Sequence, residues 1–214
     1  MSPSLSSVIE HCVETILHSK KRPLCVGVTG DSGSGKSYFA ALIKSSLERD
    51  HVSVTLINHD DFLIPRKDRE PMKNIYYQDG PFKGKSYWEL LENMFRLDEF
   101  ARVIETLKAG KDASYYPYLR MTDDISEQAV TASPSDIILF DSSMFMDQMD
   151  LLIFVDVTEE NIIQRKLIRD ADIRTPDEII DMHKSVQGYY WQRSKPQTAD
   201  IIIDNNDFSR VHTR

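Results

Sequence analysis

The feature that most restricts the fold of this chain is a short apolar run followed directly by a glycine-rich loop and then by a helical pattern. Residues 24–29 read LCVGVT, residues 30–37 read GDSGSGKS, and the apolar residues of 38–49 recur at helical spacing. The loop matches the pattern GxxxxGK[ST] between a strand and a helix. Its glycines let successive backbone N–H groups point inward, so we predict a phosphate-binding loop at the N-terminus of a helix.

This loop predicts a set of residues around the phosphates of ATP. They are Gly30, Asp31, Ser32, Gly33, Ser34, Gly35, Lys36, Ser37 and Tyr38. Within the set, we expect Lys36 to contact the β- and γ-phosphates and the Ser37 hydroxyl to bind Mg²⁺. The alternative is a glycine-rich turn that carries a lysine by chance, but the strand, the spacing and the helix all favour the phosphate loop.

Apolar runs alternate with helical patterns along the rest of the chain. Strands are predicted at 52–57, 137–140, 151–155 and 199–203, and helices at 5–18, 88–108, 159–171 and 176–192. Continuous apolar runs are typical of buried parallel strands. Strands that alternate with helices predict an α/β fold of the three-layer P-loop NTPase class, with a doubly wound and mostly parallel sheet.

Length and composition predict one domain over residues 1–214, with an N-terminal helix within 1–22. Residues 65–86 are rich in Pro, Gly, Lys and Tyr without a sustained period, which indicates a loop or a small substrate-side insertion. The two cysteines lack metal-ligand spacing, and no signal peptide or membrane span is evident, so we expect a cytoplasmic protein. A net charge of −8 disfavours nucleic acid and membrane surfaces as partners.

Two of the predicted strands end in aspartates that suit phosphoryl transfer. Asp141 is the candidate for holding Mg²⁺, and Asp60 is the candidate base that faces the acceptor, with Asp61 beside it. The alternative for each is a strand-end aspartate that caps a turn. Asp61 fits that alternative better, because adjacent strand residues point in different directions.

Three arginines form a further group. Arg165 and Arg169 share a helix face at four-residue spacing, and Arg174 lies in the loop that follows. Cations on a mobile segment can neutralise charge that develops on a transferred phosphoryl group. An ordinary solvated helix face, paired with neighbouring acids, is the alternative.

Together these residues resemble the uridine kinase and phosphoribulokinase family of P-loop kinases. The resemblance covers nearly the whole chain and rests on GVTGDSGSGKS, HDDF, LKAG, ILFD, LLIFVDV, RKLIRD and ADIII, which begin at residues 27, 59, 107, 138, 151, 165 and 199. It implies that Asp60 is the base, with Lys36 and Arg169 also acting in transfer. It also implies that 159–176 is a lid whose Arg165, Arg169 and Arg174 bind ATP.

The chain departs from the family pattern mainly at the acceptor site. Glu-Gly after the fourth strand is Asp141-Ser142, and the histidine that follows Tyr118 in uridine kinases is Asp123. A His-Pro-Asp element is missing, and Asp98 corresponds to it loosely. The resemblance thus implies Asp60, Asp61, Tyr118 and Asp98 as acceptor-binding residues.

The function predicted from the sequence is ATP- and Mg²⁺-dependent phosphorylation of a hydroxyl on a small metabolite, such as a nucleoside or a related ribosyl or vitamin-like compound. The lost acceptor-site residues motivate an alternative: a nucleotide-binding regulator or slow NTPase without a small-molecule acceptor. The family includes dimers and tetramers, so formation of a homo-oligomer stays open.

Overall fold

A computed structural model describes residues 5–145, 147–194, 199–207 and 212–213 of the chain. The strands are β1 (Leu24–Thr29), β2 (Val54–Asn58), β3 (Ala113–Tyr115), β4 (Tyr118–Leu119), β5 (Asp124–Ile125), β6 (Val130–Ala132), β7 (Ile137–Ser142), β8 (Leu151–Asp156), β9 (Ile201–Asp204) and β10 (His212–Thr213). The α-helices are α1 (Leu5–His18), α2 (Lys36–Arg49), α3 (Arg66–Arg69), α4 (Leu97–Lys108), α5 (Glu159–Arg169), α6 (Pro176–Met182) and α7 (Tyr189–Ser194).

The main sheet has six strands in the order β10-β9-β8-β1-β7-β2. Strand β1 pairs in parallel with β7 on one side and with β8 on the other, and only β10 is antiparallel to its neighbour. The strand order therefore reverses at β1, directly before the glycine-rich loop. In such sheets the ligand site lies at the carboxyl ends of the strands beside this reversal.

Helices cover both faces of the sheet and complete three layers. On one face, apolar residues of α1 and α2 pack against β1, β7, β8 and β9 in a continuous buried cluster. On the other face, α4 packs with Phe62 against Cys25, Ile57, Ile138 and Phe140. The predicted α/β fold with a doubly wound, mostly parallel sheet is confirmed. None of the described helices combines the length and apolar character needed to cross a bilayer.

The predicted helix at 88–108 is wrong in its first half, because α4 begins only at Leu97. Residues 87–89 and 91–94 form 3₁₀ turns, and Leu90 and Phe95 are extended. The backbone of this segment bonds instead to residues 62–64: Ile64 N–H donates to the Met94 carbonyl at 2.9 Å, and Arg96 N–H to the Phe62 carbonyl at 2.8 Å. Tertiary pairing thus replaces the helix that the apolar spacing predicts.

The predicted helix at 176–192 is also interrupted. It consists of α6, a π-helical turn at His183–Gly188, and α7. The N-terminus of α6 carries a capping box, in which the Thr175 hydroxyl accepts from the Glu178 N–H while the Glu178 carboxylate accepts from Thr175. Single π turns inside helices occur often at functional sites, and this one faces the glycine-rich loop through His183.

Candidate active site

The glycine-rich loop joins the end of β1 to the start of α2 with the geometry of a phosphate cradle. Gly33 and Gly35 have φ values of 93° and 96°, a region that other residues rarely adopt. A Cβ atom at Gly30 would lie 2.7 Å from the Val155 carbonyl oxygen, so the loop is packed closely against β8. Lys36 follows as the first residue of α2 and is only 8% exposed.

The loop is also held from outside by residues that lie far away in sequence. The Asn205 side-chain amide donates to the Ser34 carbonyl at 2.7 Å. Arg165 of α5 donates to the Asn205 carbonyl at 2.5 Å and approaches the Gly33 carbonyl at 3.4 Å. Arg165 therefore contacts the outer, carbonyl side of the loop. Asn205 was not predicted as a site residue, although its position directly after strand β9 placed it at the ligand edge of the sheet.

A buried polar cluster connects the loop to α5 and to the π turn. The Lys166 ammonium lies 3.1 Å from the Asp31 carboxylate and 2.8 Å from His183 Nδ1, and it also donates to Gln187. Burial lowers the pKa of Lys166 to about 8, although the Asp31 charge opposes this. Burial and the Lys166 charge lower the pKa of His183. Asp31 is thus occupied in fixing the loop to these two elements, and Lys166 and His183 were not predicted from the sequence.

Asp141 lies at the end of β7, beside the start of α2. Burial raises the pKa of Asp141, whereas the Lys36 charge and a hydrogen bond from Ser37 lower it and the Asp60 charge raises it further. Its Oδ1 atom is buried and has no hydrogen-bond partner within the described residues. A buried carboxylate oxygen next to a hydroxyl and the phosphate loop fits Mg²⁺, which binds few protein oxygens and completes its shell with phosphates and water.

Asp60 follows the neighbouring strand, since Asn58 of β2 pairs with Asp141 in the register of the sheet. The Asn58 side chain accepts a hydrogen bond from the Asp60 N–H at 2.9 Å and starts the 3₁₀ turn His59–Phe62. The Asp60 carboxylate is exposed. The structure thus brings Asp60, Lys36 and Asp141 to one edge of the sheet.

Asp61 points to a different set of partners. The Tyr115 hydroxyl donates to its Oδ2 at 3.1 Å, and the Arg96 guanidinium donates to its carbonyl oxygen at 2.7 Å. Burial raises the pKa of Asp61, whereas the hydrogen bond from Tyr115 and the charge of Arg96 lower it. Asp61 therefore has structural partners, and its assignment as an acceptor-binding residue stays a prediction.

The arginines after the loop converge on a single buried carboxylate. Arg169 binds Asp170 in a bidentate manner, with both N···O distances at 2.8 Å, and donates to Ser32 Oγ at 3.2 Å. Arg120 lies 3.2 Å and Arg174 3.9 Å from the same carboxylate. The pKa of Arg169 is raised chiefly by its hydrogen bond to Asp170, with contributions from the Asp60 and Asp31 charges. Arg169 thus contacts the loop at Ser32 and is close enough to the candidate base for the Asp60 charge to affect its pKa.

The remaining acceptor predictions fall in two places. The Tyr118 hydroxyl donates to Asp123 Oδ1 at 2.7 Å within the β4–β5 hairpin, and β4 packs against the turn that carries Asp60. Asp98 is exposed in the first turn of α4 and lines a cavity of about 540 Å³ beside Arg96. Within the described ranges, no hydrogen bond or ion pair joins Asp98 to Asp60, Asp61 or Tyr118.

Comparison with known proteins gives a consistent assignment. The model of the Phosphoribulokinase / Uridine kinase family matches residues 25–211. Uridine-cytidine kinase B from Dictyostelium discoideum is 30% identical over 205 residues, which are 91% of this chain and 75% of that protein. A uridine kinase from Clostridium botulinum (strain Langeland) is 27% identical over 207 residues, which are 89% of this chain and 92% of that protein.

The fold comparison agrees. A possible uridine kinase from Bacillus stearothermophilus has a TM-score of 0.63 at 21% identity, over 92% of this chain and 98% of that chain. Because the family model covers most of the chain and the phosphate loop is complete, the chain belongs to the phosphoribulokinase / uridine kinase family and is an ATP-dependent kinase with a hydroxyl acceptor.

Proposed function

We propose that Asp60 is the general base of this kinase and that the acceptor is a nucleoside or a related ribosyl or vitamin-like compound. The observation that carries the proposal is the placement of Asp60. Its exposed carboxylate lies at the same sheet edge as Lys36 and Asp141, while the adjacent Asp61 is engaged with Tyr115. A base that is open to solvent beside the phosphate loop can receive a hydroxyl proton from an incoming acceptor.

The residues of the loop and the following helix bind ATP. Backbone N–H groups of 30–37 and the Lys36 ammonium would contact the phosphates, and Ser37 with Asp141 would hold Mg²⁺. When bound, Mg²⁺ neutralises charge on the phosphate oxygens. Arg169 reaches toward the loop at Ser32 and stabilises negative charge on the transferred group. In the lid segment 159–176, Arg165 supports the loop from its outer side, and Arg174 lies beside Asp170.

In the transfer step, Asp60 accepts the proton of the acceptor hydroxyl. The acceptor oxygen forms a bond to the γ-phosphorus while the bond from that phosphorus to the β–γ bridging oxygen breaks, so ADP leaves with the electron pair. Lys36 and Arg169 remain in contact with the phosphate oxygens through this exchange. The products are the phosphorylated acceptor and ADP.

We infer a cytoplasmic enzyme that acts on small molecules and has neither nucleic acid nor a membrane as a partner. The net charge of −8 supports this, because polyanionic surfaces repel such a chain. Assembly into a homo-oligomer, as a further proposal, is tested by light scattering with and without MgATP.

The test is an ADP-release assay with MgATP against nucleosides, nicotinamide riboside, pantothenate and ribose derivatives. With the compound that responds best, Asp60→Asn is expected to lower kcat by about 100-fold or more, since a positioned base contributes that much. ATP binding, followed by the shift in melting temperature, is expected to stay unchanged. Asp112→Asn, an exposed aspartate after α4, serves as the matched control.

Two results would count against the proposal. Turnover by Asp60→Asn close to that of the control would remove Asp60 as the base. ADP release that none of the compounds stimulates would instead favour the nucleotide-binding regulator or slow NTPase.

A further inference from the structure

Two arginines lie beside Asp123 on the acceptor side, and the charge of a third acts on one of them. Their guanidinium groups have few close acceptors. Arg66 and Arg69 belong to α3, and Arg174 follows α5; we call these three the arginine cluster. The nearest carboxylates are Asp123, 3.8 Å from both Arg66 and Arg69, and Asp170, 3.9 Å from Arg174. These distances are longer than hydrogen bonds. The cluster therefore keeps N–H donors that no described residue accepts.

Arg69 is the most buried member of the cluster. Its side chain is 17% exposed, and its Nε atom is buried without a hydrogen-bond partner in the described part of the chain. Burial lowers the pKa of Arg69, and the charges of Arg66 and Arg174 lower it further. Tyr118 and Asp123 act in the opposite direction and raise this pKa. A desolvated cation beside two like charges is unfavourable. A bound anion would remove this cost.

The position of the cluster separates it from the nucleotide site. Arg165 and Arg169 contact the phosphate loop directly, at Gly33 and Ser32. Arg66 and Arg69 instead lie beside the β4–β5 hairpin: the Arg66 N–H donates to Asp123 at 3.1 Å, and the same carboxylate accepts from Tyr118. Arg174 lies 3.9 Å from Asp170. This hairpin packs against the turn that bears Asp60. An anion held by the cluster would lie on the acceptor side of the base.

We propose that the acceptor of this kinase carries an anionic group, a phosphate or a carboxylate, which Arg66, Arg69 and Arg174 bind while the acceptor hydroxyl faces Asp60. The proposal rests on the proposed function, because it concerns the acceptor of the same reaction. Arginine suits this role, since its planar fork binds carboxylate and phosphate through two parallel hydrogen bonds. A neutral acceptor would leave Arg69 desolvated and unsatisfied, so the site discriminates against it.

The test measures binding to protein saturated with MgADP, so that the phosphate loop is already occupied. Two pairs of probes differ only by the anionic group: ribose with ribose 5-phosphate, and glycerol with glycerate. At least one anion is expected to bind about tenfold or more tightly than its neutral partner, and Arg69→Gln to lose at least about tenfold of that affinity. Arg49→Gln, at the exposed end of α2, is the matched control.

Arg66→Gln, at an exposed position, is the second variant should Arg69→Gln fold poorly. It is also expected to weaken binding of the same anion. Failure of both anions to bind, or equal binding by the cluster variants and the control, would overturn the inference. A variant that weakens the binding of MgADP instead of the binding of the anion would also overturn the inference, because the cluster would then belong to the nucleotide site.

The same preparations are assayed for ADP release, which keeps the two proposals apart. Turnover of a neutral acceptor, without anion binding, would leave the kinase intact and remove only the anionic acceptor. Anion binding that depends on Arg69, without any acceptor-stimulated ADP release, would support the arginine cluster and count against the proposed function.

Discussion

On the phosphate side of the site, the backbone of the loop is held from outside by side chains that lie far away in sequence, although Ser34 Oγ and Asp141 Oδ1 have no hydrogen-bond partner among the described residues. The loop is fixed by Asn205 and by the buried ammonium of Lys166, which contacts Asp31. On the acceptor side, Asp60 is exposed, and the buried Nε of Arg69 has no hydrogen-bond partner among the described residues. The difference indicates that the nucleotide side is assembled before any ligand arrives, whereas the acceptor side is completed by the acceptor itself. Preorganisation of the first kind lowers the entropy lost on binding.

The largest effect is expected from a substitution at Gly35, which would disrupt the phosphate loop where it packs against Asn205. An alanine there would be strained at a φ of 96°, and its Cβ would lie 2.7 Å from Asn205 Nδ2. We expect Gly35→Ala to lower kcat/KM for ATP by about 100-fold or more, about 2.7 kcal/mol, because the loop must shift away from Asn205. Steady-state kinetics at saturating acceptor measure this.

Gly84→Ala is the matched control for Gly35→Ala. Gly84 has a φ of 83°, and no heavy atom lies within 4 Å of its added Cβ, so the control has the backbone strain without the displacement of the loop. If both variants lower kcat/KM for ATP equally, packing against Asn205 does not determine the conformation of the loop.

A smaller effect concerns the buried Lys166. Its pKa is about 8 in the fold against 10.5 ordinarily, so between these values the unfolded chain holds the proton that the folded chain releases. Stability from this group therefore rises with pH in that window and is constant below it. Relative to Lys166→Met, the wild type is expected to gain about 2 kcal/mol between pH 7 and pH 9.5.

Urea unfolding at several pH values checks the Lys166 prediction, with Lys44→Met on α2 as the control for loss of a more exposed lysine. A stability difference between wild type and Lys166→Met that does not change with pH would show that the ammonium is better solvated than its burial indicates. The phosphate side would then be less rigid than the contact between Lys166 and Asp31 indicates.

The smallest expected effect sharpens the boundary of the acceptor side. Asp98 is exposed, and no hydrogen bond or ion pair among the described residues joins it to Asp60 or Tyr118. Asp98→Asn is therefore expected to change kcat/KM for the acceptor by about twofold or less, below 0.5 kcal/mol, as measured at saturating MgATP. A loss of about tenfold would place the cavity at Arg96 within the acceptor site and revive the role that the family resemblance implies for Asp98.

The fold could be predicted largely from local patterns. Strand β1 has the predicted ends, and α2 begins within two residues of the predicted start, because a continuous apolar run and the loop motif define both. The segment at 87–96 could not be predicted, since its apolar spacing suits a helix while its backbone pairs with residues 62–64. That pairing depends on tertiary contacts that no local window contains.

The site could be predicted only in part, for a related reason. Lys36, Asp60 and Asp141 are next to strand ends, so the topology of a parallel sheet places them together. Lys166 and Asn205 acquire their importance from partners 135 and 171 residues away, Asp31 and Ser34. Arg66 and Arg69 of α3 likewise lie beside Asp123 of the β4–β5 hairpin. Sequence spacing carries no signal for such pairings, and the catalytic roles stay predictions until the variants are measured.

The contact between Asn205 and Ser34 affects when, during synthesis, the phosphate loop gains its full support. During synthesis, β1 and the loop leave the ribosome early, but the amide that holds the Ser34 carbonyl is made 171 residues later. At typical elongation rates of about 5–20 residues per second, this delay lasts on the order of ten seconds or more. A nascent chain that has not reached Asn205 carries the complete nucleotide motif without its closing support. A chain that ends before Asn205 is therefore expected to bind ATP more weakly than one that includes it.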